Sequence, residues 1–166
     1  FRPRDIVSGD LYWFAELDGT VVLAAADCTG HGVPGALLSL IGASLFQEVV
    51  VEKKLNGTGL MLDAVRTGMI QALSKDGNEH SDGMNAAVLR YDPVTKKVDY
   101  SGGYAPLYLV RQGELIEHKG DRMAVGPNLG GSIAFSSVGI QLELGDRLFI
   151  CSDGMQDQFG GPNGKK

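Results

Sequence analysis

The sequence predicts an α+β fold, with two antiparallel sheets packed face to face and helices outside in an α-β-β-α arrangement. Three observations predict it. Apolar and β-branched residues run as strands through residue 26, recur at three- and four-residue spacing in two segments ending at residue 73, and alternate with period two in six later stretches.

Residues 6–14 and 20–26 read as a hairpin joined by ELDGT, in which Asp18-Gly19 supplies the tight turn. Pro34 suits a first helical turn, and Leu37, Leu38, Ile41, Leu45 and Val49 mark the apolar stripe of a helix over 33–53. After KLNGTG, a second helix over 60–73 carries Leu60, Leu62, Val65, Met69, Ile70 and Leu73 and stops at the breakers KDGNEH. MNAAVLRYDP, KKVDYSGG, APLYLVRQG, ELIEHKG, AFSSVGIQLE and DRLFICSDG then read as strands, divided by turns such as DPVTKK, RQGE and ELGD. The 24 glycines punctuate turns and form no low-complexity tract. The chain opens on a strand-like stretch and closes on GGPNGKK, so residues 1–166 read as one domain truncated at the C-terminus, without its last helix and strand.

Fifteen Lys and Arg against 20 Asp and Glu give a net charge of −5, which disfavours a basic grip on nucleic acid or an anionic membrane and suits a cationic cofactor. No apolar run is expected to reach the roughly 20 residues of a membrane helix. FRPRDIVSGD also lacks the apolar centre of a signal peptide, so the expectation is a cytoplasmic segment without membrane contact. Cys28 and Cys151 belong to no CxxC or Cys/His cluster and read as reduced thiols, not as a disulfide or zinc site.

The chemistry concentrates in AAADCTGHGVPGALLSL, residues 24–40. Asp27 ends a continuous apolar strand, where a rigid element presents its carboxylate to a loop as a metal site or catalytic acid requires; a turn or helix cap is the competing role. DRLFICSDGMQDQFGG repeats the design with Ser152-Asp153-Gly154, followed by Asp157 in an expected helical turn. Ser8-Gly9-Asp10 supplies a third carboxylate. Oxygen donors of this kind suit hard ions such as Mg²⁺ and Mn²⁺. His31 lacks the companion ligands of a zinc site, since His80 falls in a hydrophilic loop and His118 at an expected exposed strand end. No GxSxG accompanies it, so it reads as a loop support or a proton donor near the site. Gly30 and Gly32 let backbone approach a ligand beside a helix N-terminus, while the absence of GxxxxGK[ST] excludes a P-loop.

SGDLYWF, ADCTGHGVPGALLS, SGGYAPLYL and LFICSDGMQDQFGG, in this order over essentially the whole chain, resemble the SpoIIE-like and RsbU-like bacterial branch of the metal-dependent (PPM-type) protein serine/threonine phosphatases. The resemblance implies a β-sandwich flanked by helices with two Mn²⁺ or Mg²⁺ ions at one end. It assigns Asp10, Asp27 and Asp153 as metal carboxylates and Cys28 as a ligand through its backbone carbonyl. Water activated between the two cations would then attack phosphoserine in line, Asp27 and Asp153 acting through the metals. The helices over 33–53 and 60–73 resemble the branch's regulatory pair, which answers to an attached upstream sensor domain; a homodimer is left open. The implied substrates are phosphorylated STAS-type anti-sigma antagonists of partner-switching pathways.

Three features depart from the family pattern. Tyr104 in SGGYAP stands where AGH-x-P places a histidine, Asp82 in SDGMN reads as a turn residue, and the closing Asp-Asp segment that supplies a further carboxylate has no match. The leading reading is therefore a phosphatase domain. A catalytically impaired binding module on the same fold is the alternative, and an unrelated phosphate-binding α+β domain would leave SDG unexplained.

Overall fold

The structure, a computed structural model, describes residues 6–73, 82–127 and 133–155. Strands β1 (Asp10–Leu17) and β2 (Thr20–Cys28) form the hairpin, followed by helices α1 (Gly32–Phe46) and α2 (Thr58–Leu73). Strands β3 (Met84–Asp92), β4 (Lys97–Gly103), β5 (Leu107–Arg111), β6 (Glu114–His118), β7 (Val138–Gln141) and β8 (Arg147–Ile150) complete the order, and Asp153–Met155 forms one 3₁₀ turn. The strands build a five-stranded sheet, β1-β2-β3-β4-β7, and a three-stranded sheet, β6-β5-β8, with every ladder antiparallel.

Residues on β3 show why three layers form. Ala86 and Val88 face α1 and α2, in one core with Val22, Ala24, Phe46, Leu62 and Val65. Their neighbours Ala87 and Leu89 point the opposite way, into a second core with Tyr100, Leu107 and Leu109 between the sheets. A central strand buried on both faces needs apolar residues at every position, which Ala86-Ala87-Val88-Leu89 supply. The second core spans β3, β4 and β7 but not β1, so Tyr12 and Phe14 on β1 remain 79% and 67% exposed. Among the described residues both helices lie on the outer face of the five-stranded sheet.

Several element boundaries move. The first strand begins at Asp10, not residue 6, because β2 ends at Cys28 and leaves Ile6 and Val7 no partner. The helix expected over 33–53 becomes α1 followed by a π-helical turn, Gln47–Glu52, closed by Lys53 N donating to Glu48 O at 2.8 Å. That wider turn brings the consecutive Val49 and Val50 both into the core. The six apolar stretches hold as strands, but AFSSVGIQLE pairs only over Val138–Gln141. Before it, the Ser136 amide donates to Asp121 and the Ser136 carbonyl accepts from Ser101, so side chains replace the ladder.

One expectation is corrected. Gly32–Glu52 is a helical run of 21 residues with a hydropathy of 1.5 in its most apolar window, long and apolar enough by length and composition to cross a membrane. Here it packs on the sheet through Leu38, Phe46, Val49 and Val50, with Phe46 stacked on Trp13 at 5.9 Å between ring centroids. Gly42 permits that approach, since a Cβ there would come within 3.2 Å of Leu11 and Met84.

Candidate metal centre

The site begins with a turn. Asp18 and Gly19 have φ of 50° and 77°, the left-handed pair of a two-residue type I′ hairpin. Such a turn fixes register, and pairing Leu17 with Thr20 carries through to Asp10 opposite Asp27 at the far end. Directly opposed residues share a face, so both carboxylates project from the same side of the sheet.

Asp153 arrives from the other sheet, in the 3₁₀ turn just beyond β8. Its carboxyl and that of Asp10 both lie within hydrogen-bonding reach of Asp27. A Cβ on Gly154 would stand 3.6 Å from Asp10 Oδ2, an ordinary contact distance, which places the turn directly against Asp10. Partial burial, then the neighbouring charges of Asp153 and Asp10, push the Asp27 carboxyl up to about 7. The scaffold thus brings three acids to one end of the sheets, and their proximity helps raise one of them.

Cys28 divides its roles by geometry. Its side chain is 3% exposed among core residues, and burial, reinforced by Asp27 and Asp10, pushes the thiol up to about 12. A thiol held protonated among core residues is a poor nucleophile. Its backbone lies against Gly9: Cys28 N donates to Gly9 O at 3.2 Å, and a Cβ on Gly9 would come within 2.8 Å of Cys28 O. That oxygen therefore sits in a cradle only glycine leaves open. Gly35 of α1 extends the cradle, since its Cβ would meet Gly30 O at 2.7 Å.

His31 takes the N-cap position of α1 with extended backbone and no side-chain capping bond, while Pro34 falls within the first turn. His118 ends β6 and is half-buried, more enclosed than a strand end suggested, with Nε2 shielded from solvent. His80 and Asp157 lie outside the described residues. Asp82 stands in the connection entering β3, and Tyr104 is 56% exposed with φ of 51°. Sequence reasoning gave no role to Asn85, which pairs opposite Asp27 from β3 and is exposed on that edge of the site.

The family model for stage II sporulation protein E (SpoIIE) matches residues 17–165. The chain belongs to the SpoIIE family. No curated protein matches it. Among solved structures, the SiaA-PP2C domain of Pseudomonas aeruginosa is 28% identical with a TM-score of 0.85, over 98% of this chain and 63% of that one. The PP2C phosphatase domain of SpoIIE from Bacillus subtilis, solved with a fragment of its regulatory domain, is 19% identical with a TM-score of 0.73, over 91% and 42%. The catalytic domain of the serine/threonine phosphatase PstP, in complex with two manganese ions, shares the fold at 19% identity and a TM-score of 0.68, over 93% and 74%. The chain thus spans less than two thirds of the length of the first two. Its two packed antiparallel sheets and helix pair are those of the SpoIIE/RsbU-like PPM phosphatases.

The donor set tests whether a divalent cation fits this SpoIIE-family site. Three carboxylates and a glycine-cradled carbonyl are hard oxygen donors, the kind Mg²⁺ and Mn²⁺ take while keeping most of their waters. They fit in kind. Among the described residues, no three His, Cys, Asp or Glu side chains already surround a single cation position.

Proposed function

We propose that this chain is a Mn²⁺- or Mg²⁺-dependent protein serine/threonine phosphatase domain acting on a phosphorylated signalling protein. The observation that carries the reading is the convergence of Asp10, Asp27 and Asp153 from two strands and a turn at one end of the sheets. Membership of the SpoIIE family and the likeness to the SiaA-PP2C domain support the phosphatase reading. Asp10, Asp27 and Asp153 would hold the ions, two by family resemblance, with the Cys28 carbonyl. A divalent cation bound there supplies Lewis acidity toward a phosphoryl group and activation of water.

The chain's own groups prepare that chemistry. Asp27 gives up its proton to become a ligand, which ties cation binding to pH near neutrality. The glycines at 9 and 35 let backbone pack on the carbonyls of Cys28 and Gly30 in the segment that follows Asp27, and α1 presents its N-terminus with no acidic residue in the first turn to oppose a phosphate.

The substrate reading is a phosphoserine on a small STAS-type domain. Val33, Leu37 and Leu40 form an exposed apolar stripe along α1, 57–67% accessible, that suits contact with an upstream sensor domain. A second reading, a binding module with impaired catalysis, draws on the side chains not yet arranged around one cation position. Turnover of p-nitrophenyl phosphate and of a phosphoserine peptide, with Mn²⁺ and with EDTA, decides between them. The enzyme reading predicts Mn²⁺-dependent release of phosphate by this chain or by the protein with its flanking sequence. Inert behaviour of both with saturating Mn²⁺ would leave the module.

A further inference from the structure

The loop that follows Asp27 is held by a residue to which the reaction assigns no role. We propose that Thr29 is a positioning residue for the candidate metal centre, clasping Gly83 so that Asp27 and the Cys28 carbonyl are fixed before any cation arrives. Three hydrogen bonds join the pair. Thr29 N donates to Gly83 O at 2.9 Å, Thr29 Oγ1 donates to the same oxygen at 2.8 Å, and Gly83 N donates back to Thr29 Oγ1 at 2.9 Å. One hydroxyl has one proton and two lone pairs, so it can donate and accept at once.

The anchor on the other side is stiff. Gly83 packs backbone to backbone on Gly126, where a Cβ on Gly83 would come within 3.2 Å of the Gly126 Cα. The next residue, Met84, exchanges both backbone hydrogen bonds with Val125, at 3.2 and 2.8 Å. On the opposite flank Cys28 N is tied to Gly9 O. The end of β2 is therefore clamped from both sides, and on the Gly83 side threonine supplies the clamp's one side-chain oxygen. Valine matches its shape without the hydroxyl, whereas serine keeps the hydroxyl without the methyl.

The proposal rests on Asp27 and Cys28 O being cation ligands, and partners that orient ligands typically contribute about 10–100-fold in metal affinity. Mn²⁺ dissociation constants are measured by paramagnetic resonance for the wild type, Thr29→Val, Thr29→Ser and the core control Ile140→Val, well below each melting temperature. Thr29→Val is expected to weaken Mn²⁺ about tenfold or more, while Thr29→Ser and Ile140→Val stay within about twofold. Thr29→Val binding Mn²⁺ like the wild type overturns the proposal, as does Thr29→Ser weakened equally. If the wild type itself binds no Mn²⁺, the phosphatase reading fails, and amide spectra of the metal-free chain judge the clasp separately. Loss of protection at the Gly83 amide with displaced Asp10 and Asp27 resonances in Thr29→Val, restored in Thr29→Ser, sustains it. Unmoved Asp10 and Asp27 resonances overturn it.

Discussion

Asp10 on β1 and Asp27 on β2 stand directly opposite one another, eight ladder pairs from the turn that fixes their register. Their proximity is thus a consequence of the Asp18-Gly19 turn as much as of the two acids themselves, and it has measurable costs.

The first cost is paid in stability as pH rises. The Asp27 carboxyl moves from 3.8 to about 7 on folding, so the folded state holds a proton that the unfolded chain has released. The stabilisation is present below about pH 4 and is lost as pH rises through about 7. With solvent screening at this half-buried site the effect is about 1–2 kcal/mol. Metal-free wild type should melt a few degrees lower at pH 8 than at pH 5 for this reason, and Asp27→Asn should flatten the difference. An unchanged slope in Asp27→Asn would remove the assignment.

The glycine cradle makes a second demand. Gly9→Ala and Gly35→Ala each force a Cβ within 2.8 Å of a carbonyl oxygen on the 28–30 loop, which backbone must move to relieve. Each should destabilise the fold by about 1–3 kcal/mol and weaken Mn²⁺ binding. Gly139→Ala, on an open face of β7 with nothing within 4 Å, should do neither. Calorimetric melting with and without Mn²⁺ compares the three.

A third expectation concerns α2. Arg66 is 7% exposed, pairs with Asp63 at 2.7 Å, donates to Ile133 O at 2.8 Å and lies 4.9 Å from the Phe135 ring centroid. Asp63 also accepts from Phe135 N. Arg66→Met leaves the half-buried Asp63 carboxylate without its guanidinium and should cost about 2–4 kcal/mol by urea unfolding. A loss below about 0.5 kcal/mol would mean the network is solvated.

Much of this was legible in the sequence, because it depends on local pattern. Period two and period 3.6 located eight strands and two helices, and Asp18-Gly19 marked the hairpin. Asp10, Asp27 and Asp153 were recognisable as strand-associated acids before any pairing was known. What escaped rests on partners distant in the chain. Thr29 meets Gly83 across 54 positions, Asn85 reaches Asp27 only through the β2–β3 register, and Ser136 leaves the ladder because Ser101 and Asp121 compete for its backbone. The π-helical turn likewise follows from burying Val49 and Val50 together, which no single-helix periodicity contains.

If Asp27 and Asp153 jointly hold a divalent cation, a Mn²⁺ titration followed by paramagnetic resonance reads it directly. Wild type, Asp27→Ala, Asp153→Ala and the double variant are compared at pH 8, where Asp27 is ionised. Saturable binding is expected for the wild type, with at least a tenfold loss in each single variant and little further loss in the double, since the two acids act on one site. Equal Mn²⁺ affinity in wild type and both single variants would contradict it.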